Sequence, residues 1–227
     1  MRELYRKIRK ILSQITFIKR AYNKIRGIER AQRYEQIFHA IKNNRCRRIM
    51  EVGTWNGERA VQMIETAKRH WKAAQVSYYG FDIFELMNDE IFAKEVSKRP
   101  PSMQEVKTKL ENTGAKIFLF KGFTEEVMPK VMPALPKMDL VFIDGGHSIE
   151  TITNDWKWTQ PVMDEKTVVI FDDYWSGEWG KRKDAGCQTL IDNLDKTKFR
   201  AEILPIQDSF KKEWGVLKIN FAKVRRA

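Results

Sequence analysis

Four of the five short apolar runs between residues 49 and 173 end in or beside an acidic residue, and that recurrence constrains the fold more than any other feature. The runs cover residues 49–52, 76–82, 116–121, 138–144 and 167–172, and the acids are Glu51, Asp82, Asp144 and the pair Asp172 and Asp173. Stretches with helical periodicity separate the runs, which is the pattern of buried parallel strands joined by crossover helices. Such crossovers place every strand's C-terminal end on one edge of the sheet, where ligands of open α/β sheets bind. Five carboxylates therefore converge on one crevice. They repel each other unless something positive or hydroxyl-rich lies among them.

The first run turns into its helix through Glu51-Val52-Gly53-Thr54-Trp55-Asn56-Gly57. Two glycines separated by three residues let backbone, not side chains, face whatever sits at the turn. A dinucleotide site needs G-x-G-x-x-G to bring a pyrophosphate against the helix N-terminus. Here the spacing differs, and Glu51 at the turn disfavours phosphate but suits a cationic group. An acid at the end of the second strand is a partner for vicinal ribose hydroxyls. Asp82 thus implies a nucleoside-containing cofactor, and Glu51 fits the cationic amino-acid end of S-adenosylmethionine.

Beyond residue 173, a glycine-containing polar loop at 176–186 leads into a helix ending near 194. Runs at 199–206 and 213–221, joined by a short polar loop, can pair antiparallel. The expected fold is α/β: a doubly wound, Rossmann-like, mostly parallel seven-stranded sheet with the last strand antiparallel, plus an N-terminal helical extension. The interval 83–113 is long for a connection and reads as a lid or substrate loop followed by a helix over 103–112. Ser148 or Thr151 starts the helix that stops at Pro161.

The extension is set apart by charge. Residues 1–48 hold 15 Lys+Arg against 3 Asp+Glu, whereas residues 49–227 hold 27 of each, so the first segment carries the whole net charge of +12. The expected division is a basic amphipathic extension over 1–47 and a catalytic domain over 48–227. Apolar residues from Leu4 to Ile25 recur at spacings of three and four, giving a helix with an isoleucine stripe and a basic face. Residues 1–28 suit packing on their own domain or on a partner subunit in a homo-oligomer, an anionic membrane surface, or nucleic acid. A second helix over 29–42 is expected to cap the sheet edge; His39 on it reads as a packed or solvated side chain. Cys46 and Cys187, the only cysteines, form no CxxC pair. Together with the lack of an apolar run of membrane-spanning length, this gives the expectation of a cytoplasmic protein, with the basic helix as a candidate contact to the inner membrane face.

Taken together, the E-x-G-x-x-x-G turn from Glu51 to Gly57, Gly80-Phe81-Asp82, Ile143-Asp144-Gly145-Gly146-His147-Ser148 and Phe171-Asp172-Asp173-Tyr174 resemble class I S-adenosylmethionine-dependent methyltransferases, nearest to the macrocin-type sugar O-methyltransferase branch. The resemblance spans about residues 48 to 221. It implies that Glu51, Gly53, Thr54 and Gly57 line the methionine part of the cofactor, that Asp82 holds the ribose, and that Gly122, Phe123 and Thr124 lie near the adenine. Asp144 would border the cofactor and take part in catalysis. Asp144, Asp172 and Asp173 match an Mg²⁺ site, a chemistry that three carboxylates suit. Such an ion would hold substrate oxygens and acidify the hydroxyl to be methylated.

One departure concerns the base. Family members often read I-D-G-D-H, and this chain has Gly146 in place of the second Asp. His147 is retained, with an intrinsic pKa suited to a general base or to a metal site, or else to a plain helix-start residue. Trp55, Tyr174, Trp175 and Trp179 fall near the same edge, where they either stack on a sugar or phenolic acceptor or simply pack. The implied function is O-methylation of a sugar, glycan precursor or similar small molecule. The alternatives are an RNA methyltransferase, disfavoured by the neutral 49–227 segment, and a non-catalytic cofactor-binding module at the membrane surface.

Overall fold

The computed structural model describes residues 32–95, 98–212 and 215–227. The expected helix over 4–25 and the basic face of residues 1–28 lie outside them. The compact unit that holds the sheet runs from Arg33 to Ala227.

Eight strands form one sheet: β1 Arg48–Val52, β2 Ser77–Asp82, β3 Lys116–Lys121, β4 Leu140–Ile143, β5 Val168–Ser176, β6 Phe199–Ile203, β7 Asp208–Lys212 and β8 Gly215–Arg226. Seven lie in the order β3-β2-β1-β4-β5-β8-β6, and β7 pairs with β8 as a hairpin arm. The first five are mutually parallel, while β8 runs antiparallel to both β5 and β6. The doubly wound fold is as expected, with one addition: the supposed short loop after residue 206 carries β7. The expected start of the last run at residue 213 falls just before the described part of β8.

Period-two alternation along the strands sorts side chains to two cores. Ile49, Tyr78, Leu140, Phe142 and Ile170 face one side, where they meet α1 (Glu35–Asn43), α2 (Glu58–Ala67) and, after the short α3 (Asp89–Glu95), α4 (Met103–Glu111). Met50, Phe81, Val141, Val169 and Phe171 face the other, against α5 (Thr124–Val131), α6 (Ile149–Thr159) and α7 (Gln188–Asp192). Both faces are covered by helices, so the inner strands are mostly apolar, with acids confined to their C-terminal parts.

The helix carrying residues 35–43 differs from its expected place. Ile37 and Ile41 are fully buried in the cluster that contains Ile49, Leu140, Phe142 and Phe221, so α1 lies over the middle of the sheet face and not along its edge. Its apolar positions are spaced for one broad stripe, and the centre of the sheet buries more of that stripe than an edge strand could. His39 is solvent-exposed, as the solvated alternative required. Helix α4 starts at Ser102, whose hydroxyl and Glu105 carboxylate form a reciprocal capping box. Ser148, and not Thr151, caps α6. Among the described residues no helix is long and apolar enough to cross a membrane.

The direction in which successive strands are added reverses about β1, with β2 and β3 on one side and β4 and β5 on the other. The crevice at this switch point opens between the C-terminal ends of β1 and β4.

Candidate active site

Glu51 stands near the end of β1, 1% exposed, and accepts a short hydrogen bond from the Tyr78 hydroxyl on β2. Thr54 Oγ1 lies 3.1 Å from the same hydroxyl. Burial raises the Glu51 pKa from 4.5 to about 8, more than the Tyr78 hydrogen bond and nearby Arg59 lower it. Burial thus favours the protonated carboxyl in the empty site.

Gly53, at φ +90°, is where the turn touches its neighbour: a Cβ there would lie 2.0 Å from the Asp144 carbonyl oxygen. Only glycine allows that approach. The β1 turn and the acid after β4 are thereby pressed together. Gly57 takes φ +72° and starts α2.

Asp82 closes the other side of the turn. Its Oδ2 accepts the Trp55 N–H at 2.7 Å and its Oδ1 the Phe84 N–H at 2.7 Å. Trp55 and Phe84 both sit at φ +48°, a conformation costly for aromatic residues and kept here by those two bonds. Burial raises the Asp82 pKa despite them. Gly122 joins the group through its N–H to the Asp82 carbonyl, 3.0 Å, and Phe123 leads into α5. Thr124 Oγ1 accepts from Asn154 on α6 at 3.1 Å. Residues 51–57, Asp82 and 122–124 thus border one continuous turn region.

The second half of the site lies after β4 and within β5. The pairing of β5 with β8 is irregular between Phe171 and Tyr174, and Asp173 in that bulge adopts φ +59°. Bulges re-aim side chains. This one directs Asp172 and Asp173 to separate partners. Asp173 Oδ2 is 2.9 Å from His147 Nε2, and its Oδ1 accepts the Trp175 indole N–H at 3.1 Å. Burial pushes the Asp173 pKa up, but His147 and Trp175 outweigh it and hold the carboxylate ionised. Asp144 is half-buried. Desolvation, followed by the charges of Asp172 and Asp173, pushes its pKa well above the usual range.

Asp172 has a different arrangement. Arg33 grips it through two bonds, Nε to Oδ1 at 2.9 Å and Nη2 to Oδ2 at 2.8 Å, while Nη1 reaches Asp208 on β7 at 2.8 Å. The Tyr34 hydroxyl donates to Asp172 Oδ2 at 2.9 Å and lies 3.4 Å from Asp144 Oδ2. Arg33, Asp172 and Asp208 are all less than 10% exposed.

These contacts bear on the expected three-aspartate Mg²⁺ set. A guanidinium and a phenol already satisfy the Asp172 carboxylate, so Asp144, Asp172 and Asp173 do not fit a shared ion in this structure. Among the described residues, the His, Cys, Asp and Glu side chains that group with ligand atoms within 4.8 Å of one another are Asp144, His147 and Asp173. A small cleft lined by residues 143–147, Ile152, Phe171, Asp172 and Asp173 opens over them.

Three residues at the site have no signal in the motifs: Arg33, Tyr34 and Tyr78. The crowding of acids called for a positive or hydroxyl-bearing neighbour, but nothing in the local sequence points to residues 33 and 34. Of the aromatic candidates, Trp55 is 36% exposed at the turn, Trp175 is buried, and Trp179 meets it edge-on at 5.4 Å between ring centres.

The fold and the acid-lined crevice define a Rossmann-like α/β enzyme, and comparison with known proteins supplies the class. The family described as "Methyltransferase domain" matches residues 50–174, more than half the chain, and the chain belongs to that family and is a methyltransferase. No curated protein sequence matches it. Similar solved structures include the O-methyltransferase TomG from Streptomyces achromogenes, involved in tomaymycin synthesis and solved with S-adenosylmethionine. It is 15% identical, with a TM-score of 0.59 over 87% of this chain and 81% of that one. An O-methyltransferase from Bacillus cereus, in complex with SAH, is 13% identical with a TM-score of 0.58 over 86% and 80%. An rRNA methylase from Streptococcus thermophilus is 10% identical with a TM-score of 0.55 over 86% and 97%. At these identities the likeness is one of fold, which hydroxyl and RNA methylation share.

Proposed function

We propose that the protein transfers a methyl group from S-adenosylmethionine to a hydroxyl oxygen of a sugar, glycan precursor or similar small molecule. The observation that carries this is the contact of Gly53 with the Asp144 backbone, which sets the Glu51–Asp82 turn directly beside the His147–Asp173 pair. One half of the crevice has the groups for a nucleoside with a cationic tail, and the other has a proton acceptor.

The cofactor would supply a methyl group on a sulfonium, open to in-line attack by an oxygen nucleophile. Glu51 would hold its ammonium end and Asp82 its ribose hydroxyls. His147 takes the proton of the acceptor hydroxyl, and the ionised Asp173 orients the imidazole and stabilises the imidazolium that forms. Asp144 borders both halves. Positioning of the two reactants does much of the remaining work. With Asp172 held by Arg33 and Tyr34, proton removal falls to His147 and not to an ion shared by the three aspartates. Residues 1–28 are proposed as the contact with an anionic membrane surface. The neutral charge of residues 49–227 favours a small acceptor over RNA.

Calorimetry with S-adenosylmethionine and its demethylated product tests the cofactor assignment; no binding of either at millimolar concentration would sink it. With an acceptor found by screening sugars and phenols, His147→Ala is expected to lower kcat by about 10²–10⁴-fold with the cofactor affinity kept. An unchanged kcat removes His147 as the base.

A further inference from the structure

We propose that Arg33 is the resident cation of the acidic crevice: it holds Asp172 and Tyr34 in place and fills the position at which a divalent ion would otherwise bridge Asp172 to Asp144 and Asp173. Arg33 is thereby a positioning residue, acting through Asp172 and Tyr34.

Four observations carry this. The guanidinium is 6% exposed and makes the two-pronged contact to Asp172 already described, a geometry that planar guanidinium achieves and ammonium does not. Its third nitrogen contact, to Asp208, anchors it to the β7 hairpin, 175 residues away in sequence. Aromatic faces close around it, with the Tyr34 ring centre at 4.6 Å and that of Phe221 at 5.5 Å. Finally, the Tyr34 hydroxyl lies between Asp172 and Asp144, so the segment that carries the cation also places a hydrogen-bond donor at the cleft.

The chemistry follows from charge. Asp144, Asp172 and Asp173 adjoin one small space, and a fixed cation among them lessens their repulsion. A guanidinium carries its charge at any physiological pH, whereas a divalent ion must be captured from solution. With Arg33 in place, both Asp172 oxygens are taken by the guanidinium and the Tyr34 hydroxyl, and among the described residues Asp144, His147 and Asp173 are the acidic and imidazole side chains grouped closely enough to hold a cation. Removing the guanidinium would leave a buried carboxylate facing two others, a set of hard oxygen donors suited to Mg²⁺ or Mn²⁺.

Mn²⁺ titration of the full chain, followed by electron paramagnetic resonance, tests this without use of catalysis. In the native protein, Asp172→Asn is expected to alter Mn²⁺ affinity by less than threefold. Arg33→Gln is expected to raise it at least tenfold and Arg33→Lys, which retains a positive charge, to leave it near native. The gain should vanish in Arg33→Gln combined with Asp172→Asn. A tenfold loss of native affinity on Asp172→Asn, or no gain in a folded Arg33→Gln protein, overturns the proposal. Should Arg33→Gln fail to fold, crystals of the native chain in millimolar Mn²⁺ decide the matter. A closed Arg33–Asp172 pair supports it, and Mn²⁺ bonded to Asp172 with Arg33 displaced refutes it. Because no readout involves methyl transfer, the outcome is independent of the acceptor's identity.

Discussion

The two halves of the crevice solve the same electrostatic problem in different ways. On the β1–β2 side, Glu51 is buried against Tyr78 and avoids charge by holding its proton up to about pH 8, while Asp82 is met by backbone N–H groups. On the β4–β5 side, Asp172 and Asp173 stay among other carboxylates because each has a basic partner, Arg33 and His147. The first half depends on residues close together on adjacent strands. The second depends on a side chain 139 residues from the acid it neutralises. On the proposed function, the half that takes a cofactor with a cationic end can wait in the neutral form, whereas the half that removes a proton needs standing charge.

The largest expected effect breaks the seam between the halves. Gly53→Ala places a methyl group within bonding distance of the Asp144 carbonyl at a φ that alanine rarely adopts. A loss of about 4 kcal/mol or more is expected, lowering Tm by roughly 8–16 °C. A near-native melting curve would show that the seam is looser than the backbone contact implies.

Arg33→Leu strikes only the β4–β5 half. It takes the guanidinium away from the buried Asp172 and Asp208 carboxylates, and breaking such a pair costs about 3–5 kcal/mol. Calorimetric melting should show that loss, and titration with the cofactor in the folded fraction should leave affinity within about threefold. Equal damage to cofactor binding would mean that the halves are not separable.

Glu51 gives the contrast its pH signature. A carboxyl whose pKa is raised by folding keeps its proton in the folded chain while the unfolded chain ionises. Its contribution is therefore most favourable below about pH 4.5, declines as pH rises to about 8, and is level above that. Denaturant titrations of the native chain and Glu51→Gln should diverge in slope over that window, the variant being flatter. Parallel curves would mean that Glu51 is ionised in the empty site. The smallest effect belongs to Tyr34→Phe, which removes one hydrogen bond to Asp172 and is expected to cost about 1 kcal/mol, or 2–4 °C in Tm. A loss as large as that of Arg33→Leu would make the phenol, and not the guanidinium, the main support of Asp172.

Much of this was legible beforehand. The five parallel strands and the acids at their ends follow from apolar runs of four to seven residues punctuated by Gly and Asp, because burial on both faces of a parallel strand leaves that pattern in the sequence. The glycine turn was equally readable, since a close backbone approach demands glycine wherever it occurs. Two features depend on long-range information. The expectation for the helix over 29–42 is a sheet edge, but its stripe fits either position and only the packing of Ile37 and Ile41 selects the sheet centre. Strand β7 reads as loop in the sequence, because its pairing with β8 depends on a partner and not on its own composition.

The sequence by itself determined that five carboxylates meet at one edge beside a turn fit for a nucleoside cofactor, and that their repulsion requires relief. What relieves it was decided only in three dimensions. Coulomb interaction depends on distance in space, and no periodicity or spacing records that Arg33 ends up 2.8 Å from Asp172. The motif implied three aspartates for one ion; the folded chain gives one of them to an arginine and another to a histidine.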